Sequence, residues 1–267
     1  MKTLCQTIRM PEDVTDILLS FHRDPAFTPD IQKLLTEATW EEGLRELKEA
    51  LGEDPLGFKM LCCQLRCALL AKAEFDRLDL SETIYYDTMG CFSRFVREHQ
   101  ESYGCYGFDR GFWTVRQVSC KLFRIGQLEY ELTTLDGSPA VSIHIPTDVQ
   151  LEMPLLRESY REARTVIGAA FPEYRDVPYF CSSWLLSPTL EQLLPEKSNI
   201  LAFQRAFRRV SLDPNSTGYV QWVFKNPKLS VEEFPEDTSL QRKLKAFLLS
   251  GGTFVSAKGI LIDEPFV

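Results

Sequence analysis

A chain of 267 residues with 44% hydrophobic and 25% charged side chains has the material for one large core or two modest ones. Its formal charge of -8 opposes the collection of phosphate backbones, which excludes nucleic acid as the expected partner. No uncharged apolar run approaches the ~18 residues that span a bilayer, so no membrane is expected either.

The opening MKTLCQTIRMPEDV has no apolar h-region and no small-residue cleavage site, so no secretory leader is expected. Eight cysteines, Cys5, Cys62, Cys63, Cys67, Cys91, Cys105, Cys120 and Cys181, are scattered through apolar contexts. In such a chain they read as reduced thiols used as small hydrophobes, and the cytoplasm is the expected compartment.

The first hundred residues carry helix signals almost throughout. PEDVTDILLSFHR opens on proline and acids and sets Val14, Ile17, Leu18 and Phe21 at helical spacing. TPDIQKLLTEATWEEGLRELKEALG predicts two short helices, the second closed by Gly52. DPLGFKMLCCQLRCALLAKAEFDRL is apolar on most sides (Met60, Leu61, Cys62, Leu65, Leu69, Leu70), as a central buried helix would be. SETIYYDTMGCFSRFVREHQESYG starts on Ser81 as N-cap and repeats Ile84, Thr88, Cys91, Phe92, Phe95 and Val96. The texture changes at GCYGFDRGFW, residues 104–113. An all-α domain over 1–112 and a second domain over 113–267 are expected.

The second domain reads as strands interrupted by helices. KLFRIG, QLEYEL and AVSIHIP predict three antiparallel strands, the last two joined at Asp136-Gly137. VPYFCSSWLL, RRVSLD and GYVQWVFK predict three more, and PLLRESYREARTVIGAAF, TLEQLLPEKSNILAFQRAF and TSLQRKLKAFLLSG predict helices. The order β-β-β-α-β-α-β-β-α gives an α+β chain: an all-α domain, then a mixed β-sheet flanked by helices.

The set GFDRGFW, LFRIGQLEYEL, VSIHIP, PYFCSSWLLSPTLEQLL and SNILAFQRAF resembles a bacterial family of N-acyltransferases with a helical N-terminal domain and a GNAT-like C-terminal domain. The resemblance covers nearly the whole chain. It implies an acyl-CoA-dependent transferase fold and names no substrate; the function expected on that basis is an N-acyltransferase acting directly on an amine of a small molecule or peptide, with acyl-CoA as co-substrate and no metal. In that fold the helix after the crossover strand holds the coenzyme A pyrophosphate on its N-terminal amides, and the pantetheine arm lies along the splayed strand. Transferred here, this implicates Ile145 and Thr147 at the strand end, Arg157 and Arg161 on the helix, and Ser182 and Ser183 on the next strand. One departure stands out. The family's glycine-rich loop is replaced by PTDVQLEMP, which has no glycine, two prolines and the acids Asp148 and Glu152.

Amine acylation needs a base, donors to the thioester oxygen and an acid for the leaving thiolate. His144 is a candidate base because imidazole titrates near neutrality, against an ordinary strand histidine bonded to backbone. Glu129 and Glu131 share one strand face and are candidate bases through water, or plain surface acids. Tyr219 is a general-acid candidate by fold analogy alone. Arg157, Arg161 and Arg164 form a stripe that Glu158 and Glu162 turn into an ordinary solvated face, and Arg205, Arg208 and Arg209 on the later helix read the same way. Cys62, Cys63 and Cys67 read as core, lacking a fourth metal ligand, and His99 as a residue near a helix C-terminus. The rival reading is a non-catalytic ligand- or partner-binding protein that keeps the GNAT shape.

Overall fold

The computed structural model describes residues 1–226 and 228–262. The helices are α1 Lys2–Thr7, α2 Glu12–Arg23, α3 Trp40–Leu51, α4 Phe58–Arg77, α5 Glu82–Met89, α6 Cys91–Tyr103 and α7 Gly111–Val118. Then come β1 Leu122–Ile125, β2 Leu128–Leu135, β3 Ser138–His144, α8 Met153–Ala170, β4 Tyr179–Ser183, α9 Leu190–Leu193 and α10 Asn199–Gln204. The chain closes with β5 Phe207–Asp213, α11 Gly218–Phe224, α12 Ser239–Leu249 and β6 Ser256–Leu261. The strands form one six-stranded sheet in the order β1-β2-β3-β4-β6-β5. The chain forms two compact units.

The first unit comprises Met1–Ile125, Glu129–Glu131 and Thr165–Pro172. Helix α4 supplies much of its core, with Leu61, Cys62, Cys63, Leu65 and Cys67 removed from solvent. Its other side is less apolar in effect than in sequence: Leu69 and Leu70 are exposed. On α2 the buried face is Val14, Leu18 and Leu19, and Ile17 turns outward. Ser81 caps α5 as its residue type requires, its Oγ accepting from the Ile84 amide at 3.2 Å. The helical stretch that opens on Ser81 is interrupted at Gly90, giving α5 and α6. Aromatic edges lock the unit, Phe75 lying 5.3 Å from Tyr85 and 5.5 Å from Phe123.

The second unit comprises Gly126–Leu128, Leu132–Arg164 and Glu173–Val267. Asp136 and Gly137 both adopt positive φ, the geometry of a two-residue hairpin turn joining β2 to β3. β3 and β4 run parallel through α8, and β4 pairs antiparallel with β6, which pairs antiparallel with β5.

The end of the chain departs from expectation. GYVQWVFK is helix α11, and the last strand is SAKGIL, in a segment the strand signals do not mark. Tyr219, Val220, Val223 and Phe224 recur at helical spacing and join Leu190, Leu201, Phe234, Leu244 and Phe254 in a cluster of their own. Phe224 stacks on Phe234 at 3.9 Å. Burying each such ring or leucine contributes ~1.5–3 kcal/mol, enough to override a β-leaning local composition. Arg208 and Arg209 lie on β5 rather than on a helix, and Pro195 separates α9 from α10.

Candidate active site

Strand alternation fixes what each side of the sheet presents. Helix α8 covers one face, its Arg164 guanidinium 4.7 Å over the Tyr179 ring and its Tyr160 edge-on to Phe207 at 6.4 Å. That back face carries Val141, Ile143, Tyr179, Cys181, Ala257, Gly259, Leu261 and Phe207, all buried. A side chain at Gly259 would set its Cβ 2.9 Å from the Phe207 Cβ and 3.1 Å from Leu186, so only glycine fits beneath them. Burial pushes the Tyr179 hydroxyl up to about 12 against the opposing pull of Arg164, and it raises the Cys181 thiol as well.

The opposite face is the polar one. The register pairs Ser142 with Phe180, Ser182 with Lys258 and Ser211 with Lys258. Ser142, His144, Phe180, Ser182, Lys258 and Ser211 therefore share that front face. His144 and Lys258 are half-buried there and Ser182 is exposed. Counting two residues on from Ser142 and Phe180 sets His144 across from Ser182. A polar row thus crosses the sheet at right angles to the strands.

The row lies where β3 and β4 part. Their parallel pairing joins Val141 to Tyr179 and Ser142 to Phe180, and neither strand ends there: β3 runs to His144 and β4 to Ser183. The Val141 amide donates to the Pro178 carbonyl at 3.0 Å, so the even-numbered residues of β4 aim their backbone groups at β3. Beyond Phe180 the next such groups are those of Ser182. A strand-like segment carrying its own amides fits this gap, as an extra strand fits a sheet edge. Ser183 instead closes the strand, its Oγ accepting from the Leu185 amide at 3.1 Å and ending β4 in a short turn.

The turn from β3 into α8 is built without glycine. Pro146 is buried, the Val149 amide closes on the Pro146 carbonyl at 3.2 Å, and the Gln150 amide is held by Gln127 Oε1 at 2.9 Å. Pro154, second in the helix, offers no N–H, and Asp148 and Glu152 lie exposed before it. Thr147, Arg157 and Arg161 are exposed at the same end. This end of α8 presents fewer free amides than a glycine loop would, with two carboxylates and two arginines close by in sequence.

The other predicted positions have partners of their own. In the first unit Glu129 is 3% exposed and accepts from Arg94 Nη2 at 2.5 Å, with Glu98 3.6 Å from the same guanidinium. Glu131 is bonded by Arg116 Nε at 2.9 Å. Both carboxylates are held by arginines. Tyr219 is on helix α11 and not on the strand expected there, 4.6 Å from the Phe254 ring. Cys62, Cys63 and Cys67 are core residues, and among the described residues no group of acids, cysteines and histidines has the makings of a metal site. His99 Nδ1 sits 2.7 Å from the Cys105 carbonyl. Lys258 was missed, because Lys258 and Gly259 blur the strand; the period-two signal is in Ala257, Gly259 and Leu261 against Ser256, Lys258 and Ile260.

Comparison with known proteins agrees with this fold. Residues 1–120 match the family model of an N-acyltransferase N-terminal domain, and residues 122–261 match that of a GNAT-like C-terminal domain. No curated protein matches the chain. Among solved structures it is similar to an acyltransferase in complex with decanoyl-CoA and teicoplanin, at 24% identity and a TM-score of 0.81 over 97% of this chain and 86% of that one. It is also similar to an acyltransferase in complex with CoA and 10C-teicoplanin, at 20% identity and a TM-score of 0.71 over 97% and 98% of the two chains.

Proposed function

The chain belongs to the family of N-acyltransferases with a GNAT-like C-terminal domain, and on that footing we propose that it transfers an acyl group from a coenzyme A thioester directly to an amine of a small molecule or peptide. The observation that carries the reading is the parting of β3 and β4 beyond Ser142 and Phe180, with His144 and Ser182 on one face of the gap. The pantetheine arm pairs with the backbone of Ser182 in the gap, and Ile145 and Thr147 flank its path. Arg157 and Arg161 hold its phosphates at the start of α8. Coenzyme A supplies the activated thioester; the rest is done by the protein's own side chains. His144 takes the proton from the acceptor ammonium, and the Ser182 hydroxyl donates to the thioester oxygen. Similar structures that hold decanoyl-CoA and a teicoplanin support a medium-chain donor and a small-molecule acceptor.

Cys181 forms no acyl intermediate in this scheme, since its buried thiol resists ionisation and faces α8. Eight free cysteines support a reducing, cytoplasmic setting, and no helix among the described residues is long and apolar enough to cross a membrane.

The test is thermal unfolding with decanoyl-CoA, acetyl-CoA and free coenzyme A, joined to thiol release in the presence of amines. A ligand at a hundred times its Kd stabilises the fold by ~2.7 kcal/mol. His144→Ala is expected to keep binding and lose ~10²-fold or more in kcat. No stabilisation by any of the three would refute the reading, and binding without thiol release would leave the protein a coenzyme A binder that has kept the fold and not the reaction.

A further inference from the structure

Lys258 stands in the front-face row and has no part in the transfer chemistry above. Its ammonium lies 5.7 Å from the centroid of the Phe180 ring, so the side chain leans from β6 over β4 beside the last pair before the gap. Arg208, paired with Ile260, is its diagonal neighbour on the same face. The ring contact uses none of the ammonium's three donors. Among the described residues neither cation has a carboxylate partner, although acids outnumber bases 38 to 30 in the chain. By contrast, Arg209 on the back face is paired with Glu191.

Which anion this pair meets follows from the two faces of the sheet. Helix α8 lies on the back, so phosphates held at its N-terminus belong to the back side. The thioester end of an arm that threads the gap emerges on the front. The anion presented to Lys258 therefore belongs to the acceptor and not to the coenzyme. One strand spacing is ~4.8 Å, and an ammonium leaning across it comes within several ångström of an amine above the gap. That is the separation of amine and carboxylate in an amino acid or short peptide.

We propose that Lys258, backed by Arg208, is a specificity-determining residue that binds a carboxylate of the acceptor, so that the preferred acceptors are amino acids or short peptides and not neutral amines. The inference rests on the transferase reading of the same site, but its test does not need turnover. Equilibrium binding of two product analogues, N-decanoylglycine and N-decanoylglycinamide, is measured by calorimetry on the full chain at low ionic strength. The free acid is expected to bind about tenfold more tightly, or ~1.4 kcal/mol. Lys258→Gln is expected to bring the acid within twofold of the amide, Lys258→Arg to restore the preference, and the Kd of coenzyme A to stay unchanged in both. Equal binding of acid and amide by the unaltered protein, or failure of both to bind, overturns the assignment. So does a loss common to both ligands in Lys258→Gln, or a weakened grip on coenzyme A, which would return the cation to the phosphates. Absence of thiol release with every amine, by contrast, counts against the transferase reading alone.

Discussion

Glu129 gives the sharpest test of whether burial and partners, and not residue type, identify the site. Its carboxylate is 2.5 Å from Arg94, and both side chains are nearly removed from solvent. Taking one partner from a buried pair costs ~3–5 kcal/mol, mostly because the other charge is left uncompensated. Glu98, 3.6 Å from the same guanidinium, moderates this and places Glu129→Gln near the lower end, ~3 kcal/mol. For a chain of this size each kcal/mol shifts Tm by ~2–4 °C, so a fall of ~6–12 °C is expected. Arg94→Met is expected to cost more, because it strands Glu129 and Glu98 together. Scanning calorimetry reads the stability, and thiol release well below the lowered Tm reads the activity, which is expected to stay within a few-fold. An unchanged Tm with turnover abolished would refute the reasoning and restore Glu129 as a base.

Other outcomes are equally specific. Gly259→Val is expected to push β6 away from Phe207 and Leu186 at a cost of ~1–3 kcal/mol, read by chemical denaturation, and to weaken coenzyme A binding through the displaced β4. Gly57 has φ +70°, and a Cβ there would lie 1.8 Å from the Phe108 carbonyl; Gly57→Ala is expected to destabilise the first unit, measured by hydrogen exchange of α4. Cys105 is exposed and the other seven cysteines are buried, so a thiol reagent at pH 8 should label the native protein at Cys105 alone. Burial pushes the thiols of Cys62 up to about 11 and of Cys63, Cys67 and Cys120 up to about 12. Above pH ~8.5 the unfolded thiols lose protons that the folded ones keep, so the unfolded state binds fewer. Stability is thus expected to fall by up to ~1.4 kcal/mol per pH unit for each such thiol between pH ~9 and ~12, read as a Tm that drops on alkaline titration.

Legibility followed the range of the interactions involved. The caps at Ser81 and Gly52, the helical spacing of α2 and α8 and the turn at Asp136-Gly137 are local, and the structure holds them where the residues put them. GYVQWVFK failed for the converse reason. Its aromatic and β-branched residues favour a strand in isolation, and burial against Phe234, Leu244 and Phe254 decided for a helix. β6 was illegible because its glycine answers to Phe207 and Leu186, which are distant in sequence.

The sequence by itself determined the helical first half, the β-β-β-α-β core that carries the gap, and the absence of glycine between His144 and α8. Local patterns of period two and 3.6 suffice for these. Only the tertiary structure showed the acids' partners, giving Glu129 to Arg94 and Glu131 to Arg116, and brought Lys258 from the last strand to the level of Ser182. Which side chains share a face across strands depends on register between segments some eighty residues apart, and no local pattern carries that information.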